Sequence, residues 1–539
     1  MAVHRTRNRL RAHLAPRRLV VAAGESRFAG KEERRLTPQT AKAPAVSASL
    51  SSNRAFLKRV FENCHDISFD HWSYGADLGY EALSVYCRTL VPEDRNPYVK
   101  QTLHDLTGLD SGAAATATPS AVGSYFQSGG VAKQGFAVVR ELSEVVDLVL
   151  QGCVVLFFDQ WDGALVYHAP EIEKRPVSEP VNEPVVHGPR EGTVEDLGKN
   201  LGLLRQRIPS SDLKIEWISA GRLSKTSIAF CYLEPVVAPD LLAEFRRRIA
   251  GLERYDVPET SYVEDWIQDS AYSPFPQFRY TERTDTATAA LMEGKIAVLV
   301  DHTPSILIAP AYLVDFIGSS EDYYVRTVYA SMIRLLRLLA FSIALTLPSI
   351  YIALSTFHSE LIPTVLLLAI LDTREGIPFS AFVEALIMEI SFELLREAGI
   401  RLPRPVGPAV SIVGALVIGQ AAIMAKIASP IMVIVVALTG IASFAIPNYG
   451  MGIALRILRF PYMVAAAALG GFGLMIAMLL TLLHLTSLHT LGQPYLTSLA
   501  PFRWKDMRDI VVRIPLKQLL RSPRSRRLSI PSNGRKDPG

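Results

Sequence analysis

The sequence predicts an α/β N-terminal region of one or two mixed subdomains, followed by an all-α polytopic membrane domain. That domain is expected to hold about four spans and a short re-entrant or amphipathic element. Charge distribution carries most of this reading. Residues 338–371 hold one charged side chain, Glu360; residues 405–455 hold only Lys426, and residues 460–502 hold none. Crossing a hydrocarbon core takes about 20 apolar residues, so such stretches read as membrane helices. Residues 1–330, by contrast, are ordinary in charge and mix β-branched runs with helical periodicity. A mean hydropathy of +0.21 with 20% charged residues averages the two halves. It excludes a wholly soluble protein and a transporter with spans throughout.

Residues 1–53 read as a disordered basic segment, because residues 1–35 hold ten Lys/Arg against three acids. No apolar run of secretory-signal length occurs there, and residues 54–330, the α/β domain, are expected to stay in the cytoplasm. Cys64, Cys87, Cys153 and Cys231 are then expected to be reduced thiols. Residues 54–110 alternate helical patterns with turns. Residues 111–130, SGAAATATPSAVGSYFQSGG, are small and polar and read as a linker or loop. Strands are expected at CVVLFF (153–158), KIEWIS (214–219), TSIAFCYL (226–233), KIAVLV (295–300) and SILIA (305–309). Helices are expected at 193–207, 239–250 and 285–293, with a subdomain break near 190–212.

The membrane domain covers 331–490, with spans expected at 334–356, 406–426, 429–447 and 460–486; Pro348 marks a kink in the first. Between the first two lie LIPTVLLLAIL (361–371), too short to cross, and a helix over 380–399. Val383, Ile387, Ile390 and Leu394 share one face of that helix, flanked by Glu389 and Glu393. Being apolar nearly all round, it is expected to be buried on several sides. Gly470, Gly471 and Gly473, with Ala465–Ala468, read as a smooth face for close packing. Lys426, at a span end, is expected to snorkel to the headgroups. Four spans put both termini on one side, matching the basic tail at 491–539. The same count turns Arg374, Arg396, Arg401, Arg404, Arg456 and Arg459 outward, against the positive-inside tendency.

Candidate chemistry is sparse. Cys64, His65, His71 and Cys87 are of metal-ligand type but lack the close pairs that pre-organise zinc, and buried thiols with surface histidines are the stronger reading. The chain has no Walker loop, GxGxxG, GxSxG or HExxH, so no enzymatic activity and no cofactor are expected. Neither basic end interleaves aromatics as a nucleic-acid face would. Polar groups at membrane depth are costly and usually face a bundle interior or an aqueous path. Glu360 and Asp372 bracket the 361–371 piece, where Pro363 frees a carbonyl and Thr364 offers a hydroxyl. In a homo-oligomer, Val365 and its neighbours would form a hydrophobic gate between acidic rings that favour cations. In the competing reading, the piece is a tight helical hairpin buried in protein. Glu389 and Glu393 pose the same choice: a carboxylate ring, or solvated side chains with Glu393 paired to Arg396. The residues alone leave both choices open.

Residues 374–450, REGIPFSAFVEALIMEISFELLREAG through IPNYG, closely resemble the A subunits of GerA-type spore germinant receptors. The likeness continues in HGPREG (187–192), KNLGLLRQRI (199–208), FPQFRYTERTD (275–285), SSEDYYVRT (319–327) and GQPYLTSLAP (492–501). It covers roughly residues 54–520. Thr193 stands where an aromatic is usual, and Thr284 where proline is usual. The resemblance implies a multi-pass subunit of the spore inner membrane with a cytosolic N-terminal domain. Its partners would be a transporter-like B subunit, a lipoprotein C subunit and further copies of itself, forming a nutrient-gated cation channel. A non-conducting scaffold is the alternative. The cytosolic motif residues singled out by the resemblance are Arg190, Glu191, Asn200, Arg207, Thr281, Glu282, Arg283 and Asp285.

Overall fold

In the computed structural model, the described residues are 44–74, 79–91, 136–168, 180, 183–402, 407–497, 499–500 and 510–515. The expected linker at 111–130 lies outside them, as do residues 1–43 and most of the C-terminal tail. The first unit holds α1 (Leu50–Val60), β1 (Ile67–Tyr74), β2 (Tyr80–Cys87), β3 (Phe136–Val139), α2 (Leu142–Leu150), β4 (Cys153–Phe158) and β5 (Ala164–His168). Its antiparallel sheet runs β1-β2-β4-β5-β3. CVVLFF is buried along its whole length because α1 and α2 cover one face and Tyr74 and Trp161 the other.

Two expectations change here. Residues 67–87, read as helical, form a β-hairpin, since pairing of β2 with β4 overrides the local pattern. The folded chain also starts before residue 54: Val46 is buried in the first core, and Ala45 bridges to Glu141.

The second unit follows with α3 (Leu197–Arg207), β6 (Leu213–Ala220), β7 (Thr226–Leu233), α4 (Pro239–Ile249), α5 (Thr260–Ile267), β8 (Arg279–Thr281), α6 (Thr284–Met292), β9 (Ile296–Val300), β10 (Ile306–Ala309) and α7 (Leu313–Ile317). Four of the five expected strands form here as β6, β7, β9 and β10, and the fifth, CVVLFF, is β4 of the first unit. The sheet order is β6-β7-β9-β10-β8. Phe245 and Val263 from α4 and α5 pack on one face, and Leu204 and Leu291 from α3 and α6 on the other. Because α3 belongs to this sheet, the break falls before residue 190, not within 190–212. The units are tied by backbone bonds from His65 N to Ile215 O and from Ile215 N to Asn63 O, at 2.9 and 3.0 Å. Beside them Arg205 clasps Asp66 through two 2.9 Å bonds, both side chains wholly buried.

The helical part comprises α8 (Thr327–Thr356), α9 (Thr364–Arg374), α10 (Ala381–Arg401), α11 (Gly407–Met424), α12 (Pro430–Phe444) and α13 (Tyr449–Ser487). By length and composition α8 and α13 are apolar and long enough to cross a membrane. Yet α13 is not straight. Gly470 sits at φ 60, ψ −140, outside helical space, and Tyr462 Oη donates to Thr481 Oγ1 at 2.9 Å. Nineteen residues of straight helix would separate them by about 28 Å. The element is therefore a hairpin, and the span expected at 460–486 is corrected to parts of two arms, 449–469 and 471–487. Gly470 supplies the left-handed turn that other residues adopt only with strain; a Cβ there would sit 2.8 Å from Phe357 Cβ.

The path of the helices follows from contacts at their ends. Both open ends of the α13 hairpin meet the loop before β8: Gly450 packs by Pro276, and Ser273 Oγ lies 2.8 Å from His484 Nε2. The tip reaches the far end of α8, where Gly471 N donates to His358 Nε2. On that far side Lys426 Nζ reaches Glu375 O, so this side chain, expected to snorkel to the headgroups, caps a neighbouring loop. At the near side Arg396 donates to Ser443 Oγ, joining the ends of α10 and α12. The chain thus runs out along α8, back along α10, out along α11, back along α12, and out and back along α13. Arg396, Arg401 and Arg456 fall at the α/β end and Arg374 at the far end, Arg459 is buried between α8 and α10, and Arg404 lies outside the described residues. The chain after α13 returns to the second sheet, where Tyr495 is fully buried and donates to Pro276 O.

Candidate functional site

The motif residues of the α/β region converge on one corner of the second unit. HGPREG runs beside the β8–α6 turn, with Gly192 bridged to Arg283 and Thr193 N bonded to Glu282 O. Arg207, from α3, donates to Glu191 at 2.6 Å, and Thr284 Oγ1 also reaches that carboxylate. Asn200 ties down the same strand through Val194 N and O. Thr281 Oγ1 accepts from Arg283 N and donates to Glu183. Arg283 is buried and pairs doubly with Asp285 while donating to Pro189 O. Arg190 flanks this corner in sequence.

Asp285 carries the link towards the helices. The Tyr324 hydroxyl donates to it, and Thr286 Oγ1 meets Ser320 Oγ at 2.6 Å. Burial raises the Asp285 carboxyl, but bonds from Arg283 and Tyr324 outweigh it and hold the group below the usual range. Tyr324 is pushed up to about 12, by burial and by the same carboxylate. Two residues earlier Asp322 accepts from Arg334 and Arg337 in the first turns of α8. The corner is a polar joint between the second sheet and the first long helix. The motif order alone did not reveal Asp322, Arg334 and Arg337 as its second half, although an acid ahead of an i,i+3 arginine pair was a readable signal.

Within the helices, α10 reads inside out. Glu384 and Glu389 are buried, whereas Ile390 and Leu394 are 46% and 67% exposed. Expected burial on several sides gives way to one buried face, on which Glu384 and Glu389 lie among Ala381, Ala385 and Met388. Its acids meet arginines from other elements: Glu384 with Arg374 at 3.1 Å, and Glu389 with Arg459 at 2.5 Å. Arg459 also donates to Ala344 O in α8. Glu393 accepts from Arg396 at 2.9 Å, the pairing expected three residues on, and from Arg456 at 3.1 Å. Neither Glu389 nor Glu393 stands as a bare carboxylate. Sequence reading missed the partners Arg456 and Arg459 because both were assigned to a loop.

The 361–371 piece behaves differently. It forms α9 after Pro363, covered by almost nothing: Val365 is 83% exposed, Thr364, Leu366, Leu368 and Asp372 are exposed, and Ile370 is its one buried side chain. The tight hairpin buried in protein is not what forms. Glu360 lies just before α9, 3.6 Å from His358 Nδ1.

The metal-type residues do not converge. Cys64 Sγ points to Leu213 O, His65 Nδ1 accepts from Trp217 N, and Cys87 Sγ contacts Asp66. Burial, then Asp66, pushes the Cys87 thiol up to about 12. Among the described residues no three His, Cys, Asp or Glu side chains gather at metal-binding spacing.

The Bacillus/Clostridium GerA spore germination protein family matches residues 55–525, and so spans both sheets, the motif corner and all the helices. The chain belongs to that family. It is 38% identical to spore germination protein KA of Bacillus subtilis over 87% of this chain and 85% of that one. It is 40% identical to spore germination protein GerLA of Bacillus cereus, over 70% and 77% of the two chains. An uncharacterized membrane protein of Bacillus subtilis, YfkQ, is 38% identical over 89% and 91%. Among solved structures, the N-terminal domain of the A subunit of the Bacillus megaterium germinant receptor GerK3 aligns with 50% of this chain and 98% of its own, at 24% identity and TM-score 0.38. In this GerA family member both departures from the usual motif are accommodated. Thr284 starts α6 at the position where proline also fits, and Thr193 is buried with its hydroxyl on Glu282 O and Pro304 O.

Proposed function

We propose that this chain is a non-enzymatic, multi-pass subunit of a nutrient-sensing germination receptor in the spore inner membrane, its α/β units cytosolic. Copies of it assemble around α9 into a nutrient-gated cation path, in complex with a transporter-like B subunit and a lipoprotein C subunit. Nutrient binding on a partner shifts a closed–open equilibrium in the helices. Family membership supports the receptor, and the exposed apolar faces of α8, α10 and α13 support the membrane, since lipid is the solvent that tolerates them. In this reading the helical arms that run out and back are the membrane passes, and the two ends of the helical part lie on one side.

The observation that carries the channel reading is α9. An uncovered apolar helix between Glu360 and Asp372 needs a cover, and copies around an axis supply one. They would bring Pro363, Thr364 and Val365 to the axis between two acidic rings. Cysteine placed at Val365 should then cross-link between copies in membranes, whereas cysteine at Leu394 should not. Absence of any Val365 cross-link in an assembled receptor would reject the arrangement.

A non-conducting scaffold is the second reading, favoured by the pairing of Glu389 and Glu393 with arginines of the same chain. That pairing removes them from an acidic ring and leaves the ion path to residues 360–372.

A further inference from the structure

A cavity of about 490 Å³ opens where the motif corner meets the near ends of α10, α12 and α13. Arg279, Arg283, Arg337, Arg396 and Arg456 line it, against the carboxylates Glu183 and Glu321. Carboxylates behind the wall engage several of them: Asp285 holds Arg283, and Asp322 holds Arg337. Glu183 pairs with Arg279 at 3.7 Å and accepts from Thr281, and Glu321 accepts from Val186 N. Glu393, however, serves Arg396 and Arg456 together, so that trio carries one positive charge beyond its own carboxylate. Two of the lining residues, Arg396 and Arg279, each keep a buried Nε donor without a hydrogen-bond partner. Orphaned guanidinium donors on an arginine-rich wall are the chemistry that receives phosphate oxygens. Beside them the rim is apolar and open: Ile400, Phe444 and Tyr449 are 58%, 70% and 65% exposed.

We propose that this cavity binds a phosphate group through Arg279 and Arg396, with the apolar rim seating the chains of an anionic lipid. The site lies at headgroup level on the cytosolic side, which rests on the membrane reading above. A lipid held there touches the second sheet and three helices at once, so it would couple the joint to the bundle. Free phosphate offers the same oxygens without the chains, and the test separates the two sources.

The test is native mass spectrometry of the full chain in detergent, titrated with phosphatidylglycerol or phosphatidylcholine, with inorganic phosphate as competitor. Phosphatidylglycerol should be retained about tenfold more strongly than phosphatidylcholine, and R279Q or R396Q should each lower that retention about tenfold. R279Q lies on the sheet, so it stays informative if R396Q fails to fold. R401Q, at an exposed pair outside the cavity, should change nothing. Retention that resists millimolar phosphate assigns the site to lipid; displacement by phosphate, with phosphate alone raising the Tm, assigns it to the free anion. Equal retention of both lipids, or unchanged retention in R279Q and R396Q, overturns the proposal. Alkaline carbonate extraction reads membrane integration separately, so failure of the membrane reading is distinguishable from failure of the site.

Discussion

The hydroxyls of Tyr462 and Thr481 meet at 2.9 Å across the arms of one apolar stretch. That contact turns a 39-residue element into a hairpin and fixes which ends of the helices share a side. The arm holding Arg456 and Arg459 is thereby placed beside α10, where both arginines find glutamates.

The hairpin depends on Gly470. Gly470→Val should destabilise the helical part by about 2 kcal/mol or more, from the positive φ and the close approach of Phe357. Thermal unfolding of the purified chain in detergent measures this, and an unchanged Tm would remove the turn from the description.

Glu389 and Arg459 should behave as a couple. Glu389→Gln or Arg459→Gln alone leaves a buried partner uncompensated, a loss of about 3–5 kcal/mol for a fully buried pair. Replacing both with leucine should cost clearly less than the sum of the single changes. Additive losses would show that the pair is not coupled. Glu389→Gln should also leave ion flux per correctly folded receptor unchanged, which contradicts an acidic ring at this position if observed.

Asp66 and Arg205 form the equivalent tie between the two sheets. Asp66→Asn should lower stability by about 3–5 kcal/mol, because Arg205 stays wholly buried without its carboxylate. Limited proteolysis should then cut first between the units. A cleavage pattern identical to the parent's would show that backbone pairing alone holds them.

Much of this was legible in the sequence. The β-branched runs of the second sheet and helices α4 and α6 lie where periodicity places them, since there local preference and tertiary pairing agree. The first sheet was harder: β1 and β2 are amphipathic strands whose pattern also fits helix, and only pairing with β4 decides. The near-uniform apolar surface of α10 did not show which face would be buried; pairing of Glu384 and Glu389 with arginines of other elements decides it, leaving Ile390 and Leu394 exposed. Gly470 was misread because a packing glycine and a turning glycine look alike in one sequence. The motif residues Glu191, Arg207, Arg283 and Asp285 were found through family likeness, but the bonds that join the two halves of the corner, Thr284 to Glu191 and Arg283 to Pro189 O, were not legible, as they link residues about ninety apart.

Acid should weaken the α/β units. Hydrogen bonds from Arg247 and then Arg248 hold Glu244 down at about 2. Asp285 and Asp315 are also lowered, arginine or lysine outweighing burial. Folded values below unfolded ones mean the contribution is complete above about pH 4.5 and lost as pH falls towards the folded values. The Tm of the full chain should therefore drop between pH 5 and pH 3, flattening above (about the range set by those carboxylates). A Tm that rises on acidification would contradict the pairing.

Conductance decides the central proposal. The chain, reconstituted with its partner subunits in liposomes, should pass monovalent cations when nutrient is added, and Val365→Ser should leak without nutrient by wetting the gate. A correctly assembled complex that stays non-conducting with nutrient, in parent and Val365→Ser alike, would contradict a cation path along α9 and leave the scaffold.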